Sequence, residues 1–230
     1  SSDVCSSDLK LWAPTIKAAD NLFKEGYGED RVNVTGNTVI DALLYTSSRV
    51  TAPQNLEPFK DKKNILVTVH RRESFGENLL EICSAIRELS VNYSDVEFIY
   101  PVHPNPNVHD VVHVELKGYR NIHLIPPLGY TDFIWLLKHS YCVLTDSGGV
   151  QEEAPSLNIP VIVLRDKTER PEGIEAGVSI LAGRQKDNII RHVSNLITDR
   201  HLYQKMAMGA NPYGDGKAAL RIVEDIINAE

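Results

Sequence analysis

Residues 65–102 read ILVTVHRRESFGENLLEICSAIRELSVNYSDVEFIYPV. The stretch opens on an unbroken apolar run, ILVTV, as a strand buried on both faces requires. It closes on a second such run, VEFIYPV. Between them Leu79, Ile82, Cys83, Ile86 and Leu89 recur at intervals of three and four, which predicts one apolar face of a helix. A helix between two buried strands carries the chain back to its starting edge, so the strands run parallel.

The alternation continues downstream. NIHLI (121–125), YCVLTD (141–146), PVIVLR (160–165) and VSILAG (178–183) predict further strands. TDFIWLLKHS (131–140), capped by Thr131 or Asp132, and VQEEAPSLN (150–158) predict helices between them. DNIIRHVSNLITD and GKAALRIVEDIINA close the chain as two more helices. The last has Asp215 or Gly216 as its cap and Ala218, Ile222, Ile226 and Ile227 as its apolar stripe. Upstream, Thr15 caps a helix in TIKAADNLFKEG, VNV is a short strand, and a helix follows the turn TGN. TAPQNLEPFKDKKN (51–64), polar and with two prolines, reads as a linker. The fold class is therefore α/β, a parallel sheet with helices on both faces.

Composition narrows the partners. Lys plus Arg number 24 against 31 Asp plus Glu, a formal charge of −7. That excludes a general nucleic-acid binder, which needs a basic stripe to neutralise phosphates. No apolar run approaches the roughly 18 residues of a membrane span. The first residues lack the basic start and apolar middle of a signal peptide. Three scattered cysteines make neither a disulfide framework nor a zinc site, so a reducing, cytoplasmic compartment is expected. Residues 1–9, SSDVCSSDL, have no Met and no periodicity and repeat Ser-Ser-Asp. They read as a sequencing adapter translated in one frame, with a natural tail as the bland alternative. On the adapter reading they are an artefact, Cys5 included, and the natural protein continues upstream.

Ligands of open parallel sheets bind beyond the carboxyl ends of the strands. Three loops with chemical content fall there: 70–73, 103–107 and 146–149. In TDSGGVQEE (145–153), Gly148 and Gly149 let the backbone approach a ligand, and the start of a helix favours a phosphate. Ser147 adds a hydroxyl. Glu153, one turn into that helix, suits a diol. The plain alternative is a tight turn with a capping serine. His70, Arg71 and Arg72 offer several donors to a diphosphate, the alternative being a surface Arg–Glu73 ion pair. His103, held between prolines, suits either binding or a structural bond to backbone. Arg170 in RDKTERPEG can reach a nucleotide or form a loop salt bridge. His109 and His113, at i and i+4, have no third ligand at suitable spacing, which favours a solvated face over a metal site. Cys83 and Cys142 read as buried packing.

Taken together, APT (13–15), VTGNTVIDAL (34–43), VHRRESFGEN (69–78), YPVHPNPNV (100–108), LTDSGGVQEEAPSL (144–157), RDKTERPEG (165–173) and NPYGDGKA (211–218) resemble the non-hydrolysing UDP-N-acetylglucosamine 2-epimerases. The resemblance runs from about Lys10 to the C-terminus. It implies the GT-B fold, two Rossmann-like domains facing each other across a cleft. Residues 10–50 would be a remnant of the N-terminal domain and its crossover. Residues 51–210 would be the C-terminal nucleotide-binding domain, and residues 211–230 a helix returning to the N-terminal domain.

The resemblance also implies the chemistry. UDP-GlcNAc and UDP-ManNAc interconvert by elimination of UDP to 2-acetamidoglucal and re-addition, with no metal or nicotinamide cofactor. His70, Ser147, Gly148 and Gly149 would stabilise the departing diphosphate, and Phe133 would line the uracil. Glu153 would bind ribose, and Arg170 the nucleotide. Leu128 stands where relatives often carry Gln. Arg71, Glu73 and His103 match residues that bind a second, activating UDP-GlcNAc in some bacterial members. A bacterial, cytoplasmic homodimer serving cell-surface polysaccharide synthesis is the implied parent. The family's acid/base carboxylates belong to the N-terminal domain, so this chain alone is expected to be inactive or nearly so. A GT-B glycosyltransferase and a hydrolysing epimerase share the same pocket and stay open. So does a nucleotide-sugar-binding module without catalysis.

Overall fold

The computed structural model describes residues 9–228. The stretch read as adapter sequence, but for Leu9, lies outside the described residues. The chain divides into two compact units. One is built from its two ends, up to residue 45 and from residue 211 on, and the other from residues 46–210.

In the first unit, β1 (Leu11–Ala13) and β2 (Val32–Val34) pair in parallel around helix α1 (Ile16–Lys24). Thr15 caps α1 as its sequence predicts, its hydroxyl oxygen accepting the Ala18 N–H at 3.0 Å. Ala13, Ala19 and Val32 form a small core. Helix α2 (Thr38–Ser47) leads out of the unit. The C-terminal helix, Ala218–Asn228, starts differently from expectation. Its first amides, Ala218 and Ala219, donate to the two carboxylate oxygens of Asp41 at 3.1 and 2.9 Å. Asp215 instead takes the Lys217 N–H and pairs with Arg221. A carboxylate from a distant segment serves the orphan amides because they ask only for negative charge, whatever its place in sequence. The chain ends meet closely. Gly36 and Gly214 both have positive φ, and a Cβ on Gly36 would lie 3.4 Å from the Gly214 Cα. Beside them the Asn37 N–H donates to the Tyr213 carbonyl at 2.8 Å. Trp12 Nε1 donates to Asp225 at 2.7 Å, and Arg221 to the Thr35 carbonyl at 2.9 Å.

The second unit is the expected α/β layer structure. Its strands are β3 (Lys63–Thr68), β4 (Val96–Pro101), β5 (Ile122–Ile125), β6 (Cys142–Thr145), β7 (Val161–Val163) and β8 (Ser179–Leu181). They form one parallel sheet in the order β5-β4-β3-β6-β7-β8. Counted within the unit this is the order 3-2-1-4-5-6, that of a Rossmann sheet. The helices between and after the strands are α3 (Glu77–Asn92), α4 (Pro106–Leu116), α5 (Tyr130–Lys138), α6 (Gly148–Ser156), α7 (Pro171–Glu175), α8 (Lys186–Thr198) and α9 (Arg200–Ala207).

Period-two alternation divides each strand between two cores. Ile65, Val67, Phe98, Tyr100, Cys142 and Leu144 face α3, α4, α8 and α9. Leu66, Ile99, Val143, Val161 and Val163 face α5 and α6. The stretch 51–64 is more than a linker. Leu56 and Phe59, three apart in a short helical turn, bury themselves in the second core. Helix α5 also begins earlier than expected, with Gly129 rather than Thr131 or Asp132 at the cap position.

The order matters because it reverses between β3 and β6. Connections from these neighbours leave in opposite directions and open a crevice at their carboxyl ends. The loops that follow β3 and β6 are those of His70 and Ser147.

Candidate nucleotide site

Asp146 directly follows β6 and is fully buried. Its carboxylate accepts the His70 N–H at 3.1 Å, the Arg71 N–H at 2.9 Å and the Ser74 hydroxyl at 2.8 Å. His70 Nδ1 stands 3.5 Å from the same carboxylate. A buried carboxylate is tolerated only when hydrogen-bonded in this way, and here the bonds fold the loop after β3 onto the end of β6. Thr68 donates its hydroxyl to Thr145 at 2.6 Å one step below, and the Ser147 N–H donates to the same Thr145 oxygen at 2.9 Å. Sequence reading marked the loop 146–149 for its glycines but gave Asp146 no task. The available signal was a charged residue ending an otherwise apolar strand, CVLT.

A cavity of about 300 Å³ opens beside this junction. His70, His103, Leu128, Phe133, Ser147 and Val150 are among its walls. Four residues singled out from sequence, His70, His103, Phe133 and Ser147, thus converge from four different loops and helices. The His70 and His103 rings stack with centroids 5.8 Å apart. Leu128 is an apolar part of the wall. Gly148 and Gly149 are the first two residues of α6, so their amides lack intrahelical acceptors. Gly149 is open to the surface, while Gly148 lies against the Arg71 guanidinium.

The other expected residues stand apart from the cavity wall. Glu153 is 8% exposed in the second turn of α6, and its carboxyl is pushed up to about 7, first by burial and then by neighbouring Glu152. Arg170 lies against Glu152 in a salt bridge. Glu73 pairs with Arg165 rather than with Arg71, which corrects the local Arg–Glu alternative. Arg165, 6% exposed, also reaches Glu169. Gln151, which sequence reading passed over, connects two loops. It donates to the Ser147 carbonyl at 3.1 Å and accepts from Thr168 at 2.6 Å. His109 and His113 lie on α4 with rings stacked at 4.1 Å. Among the described residues no group of three or more His, Cys, Asp or Glu is placed to hold a metal ion. Cys83 and Cys142 are free, buried thiols, each pushed up to about 12 chiefly by burial.

A Rossmann-order sheet, a cavity at its reversal point and a helix N-terminus with two glycines are the parts of a nucleotide site. The sequence model of the family described as UDP-N-acetylglucosamine 2-epimerase matches residues 5–227. The chain belongs to the UDP-N-acetylglucosamine 2-epimerase family. A UDP-N-acetylglucosamine 2-epimerase of Campylobacter jejuni is 47% identical over 95% of the chain, and that of Escherichia coli K12 46% identical over 94%. The chain spans about 60% of the length of these curated relatives. Among solved structures, S. aureus MnaA with UDP superposes with a TM-score of 0.90 at 47% identity, covering 95% of this chain and 60% of that one. The Neisseria meningitidis UDP-GlcNAc 2-epimerase, bound to UDP-GlcNAc, does so at 0.88 and 42%, covering 94% and 61%. The chain's parallel-sheet α/β structure thus matches the corresponding part of the GT-B-like epimerase structures. Among the described residues no helix is long and apolar enough to cross a membrane.

Proposed function

We propose that residues 46–210 are the nucleotide-binding half of an enzyme that interconverts UDP-GlcNAc and UDP-ManNAc without net hydrolysis. The observation that carries this reading is the meeting of His70, Phe133 and Ser147 around one cavity at the strand-order reversal. The uracil packs against Phe133. The diphosphate lies at the start of α6, against Ser147 and the Gly148 and Gly149 amides, where free N–H groups and the helix dipole meet its charge. The Glu153 carboxylate accepts from the ribose hydroxyls, and Arg170 exchanges part of its pairing with Glu152 for the nucleotide. As the bond from C1 to UDP breaks, negative charge grows on the diphosphate, and His70 acts on that growing charge. A base from outside this cavity takes the C2 proton as UDP leaves, and a C1=C2 double bond forms; return of a proton to the other face of C2 and of UDP to C1 completes the epimerisation. His103 lines the cavity, and together with Arg71 and Glu73 in the loop after β3 it is proposed to hold a second, activating nucleotide sugar. Glu73 would then exchange Arg165 for that ligand. The whole protein is further proposed to be a cytoplasmic homodimer serving cell-surface polysaccharide synthesis.

The test is the whole polypeptide carrying this chain, incubated with UDP-GlcNAc in deuterated water. Non-hydrolysing epimerisation yields UDP-ManNAc with deuterium at C2. Release of free ManNAc would assign it to the hydrolysing group, and transfer to an acceptor to the glycosyltransferases.

A second reading applies to the chain by itself. The described cavity wall offers two imidazoles and two hydroxyls but no carboxylate. With His70 given to the departing diphosphate and His103 to the second nucleotide sugar, removal of the C2 proton needs a further base, which favours a binding module that completes its chemistry with groups from elsewhere in the protein.

A further inference from the structure

Asp146 does more than brace a loop. Its two oxygens already accept two backbone amides and a serine hydroxyl, and no cation is among these partners. A buried carboxylate keeps its charge there by collecting N–H and O–H donors. A further group, the Nδ1 edge of the His70 ring, stands 3.5 Å from Oδ1. The ring is partly exposed on its other side, where it lines the cavity.

We infer that Asp146 is a positioning residue that commits His70 Nδ1 to carry a proton and turns Nε2 toward the cavity. The geometry disfavours the opposite tautomer on simple grounds. An Nδ1 lone pair facing the buried carboxylate would set two acceptors against each other.

A consequence follows for anions, and it rests on the reading of the cavity as a diphosphate site. With Nδ1–H held by Asp146, a neutral His70 meets the cavity as an acceptor at Nε2. A phosphate oxygen is also an acceptor. The two can bond only if Nε2 gains a proton, so a nucleoside diphosphate is bound together with one proton taken from solvent. The proton enters on Nε2, no covalent bond breaks, and the imidazolium formed lies between two anions. Asp146 thus makes the imidazolium affordable on one side while the ligand does so on the other. Charged or titratable neighbours among the described residues include His103, stacked at 5.8 Å from the loop after β4, Arg71, whose guanidinium lies beside Gly148, and Tyr100, whose hydroxyl donates to the Val69 carbonyl.

The experiment is a long-range ¹H–¹⁵N spectrum of the 230-residue chain labelled on histidine nitrogen, recorded at pH 8, with His70→Asn identifying the signals. The free chain is expected to show His70 protonated at Nδ1 and bare at Nε2. Asp146→Asn is expected to reverse this, because the amide can present N–H to the ring. Ser74→Ala, which removes a different partner of Asp146, is expected to leave it unchanged. Saturating UDP is expected to bring both nitrogens of His70 to the protonated pattern. An Nε2–H form in the free chain overturns the inference whatever UDP does, as does a tautomer indifferent to Asp146→Asn. If that variant does not fold, the wild-type spectrum decides alone. UDP bound with His70 still neutral overturns the proton coupling. Failure of UDP to bind at all, in a chain with the Nδ1–H form, counts against the nucleotide site and leaves the role of Asp146 standing.

Discussion

Arg165 Nε donates to Glu73 Oε1 at 2.5 Å, joining the loop after β7 to the loop after β3 across the intervening β6. Arg184 adds a bond to the Glu73 carbonyl and a salt bridge to Asp166. The two loops that flank the Ser-Gly-Gly turn are therefore held as one piece, and Glu73 is the residue they share.

Glu73→Ala should leave the buried Arg165 guanidinium with Glu169 as its remaining carboxylate. Removing one partner of a buried pair costs about 3–5 kcal/mol. Glu73 is itself 43% exposed, and screening reduces the loss to about 1–2 kcal/mol. Urea unfolding measures it as a lower midpoint at constant slope. An unchanged midpoint would mean that Glu169 alone satisfies Arg165.

Glu153 should make the chain less stable as pH rises. Its carboxyl, pushed up to about 7 in the fold, titrates near 4.5 when unfolded. Between these values the folded state holds the extra proton, so stability falls through the window from about 4.5 to 7 and is flat above it. The full window corresponds to roughly 3 kcal/mol. Glu153→Gln should be the more stable protein at pH 8, with the gap closing toward pH 4.5. A constant gap across that range would place the cause elsewhere.

The same substitution should weaken UDP binding if the carboxylate serves the ribose. A hydrogen bond to a charged acceptor contributes about 1.5–3 kcal/mol, or roughly 10- to 150-fold in affinity. Calorimetry on the wild-type chain and Glu153→Gln decides it, with equal affinities removing Glu153 from the ribose. A gain in stability alongside a loss of affinity would mark a group kept for binding at the fold's expense.

His70→Ala, made in the whole enzyme, should lower kcat by more than it raises KM. A group acting on charge that develops as UDP leaves is worth most in the transition state. A raised KM at unchanged kcat would show instead that the imidazole binds substrate and transition state alike.

The 230-residue chain by itself should form no UDP-ManNAc and should self-associate. Its C-terminal helix exposes Leu220 at 55%, Val223 at 51%, Ile226 at 51% and Ile227 at 66%. A contiguous apolar face of this kind favours association. Sedimentation before and after Leu220→Lys and Ile227→Lys tests it, with the double variant expected to run as a monomer. Clear epimerisation by the wild-type chain would place the catalytic acid and base within it.

How much of this was legible beforehand depended on the range of the interactions. The strands announced themselves because a strand buried on both faces must be apolar throughout, as in ILVTV. Thr15 was legible as a cap because its partner amide lies three residues away. Asp41 was not, because the amides it serves lie 177 and 178 residues on. The same applies at the site. Ser147, Gly148 and Gly149 carry a local signature, a turn opening a helix. The task of Asp146 exists only once β3 and β6 are neighbours, and nothing in TDSGG states that the amides of His70 and Arg71 will arrive there. Leu56 and Phe59 were hidden for a further reason. Two apolar residues amid prolines and charges have no period to read, and a single turn of helix sufficed to bury both.

The stitching of residues 35–41 to residues 213–221 also bears on how the protein is made. Synthesis runs from the N-terminus, so β1, α1 and β2 leave the ribosome long before Tyr213, Arg221 and Asp225 exist. Until then Trp12, Thr35, Asn37 and Asp41 must wait without the partners they have in the finished chain. The 165 residues of the second unit can complete their sheet in that interval. A segment made early therefore becomes one of the last to be finished, and a nascent chain stalled before Asn211 would carry a formed Rossmann sheet and an unclosed first unit.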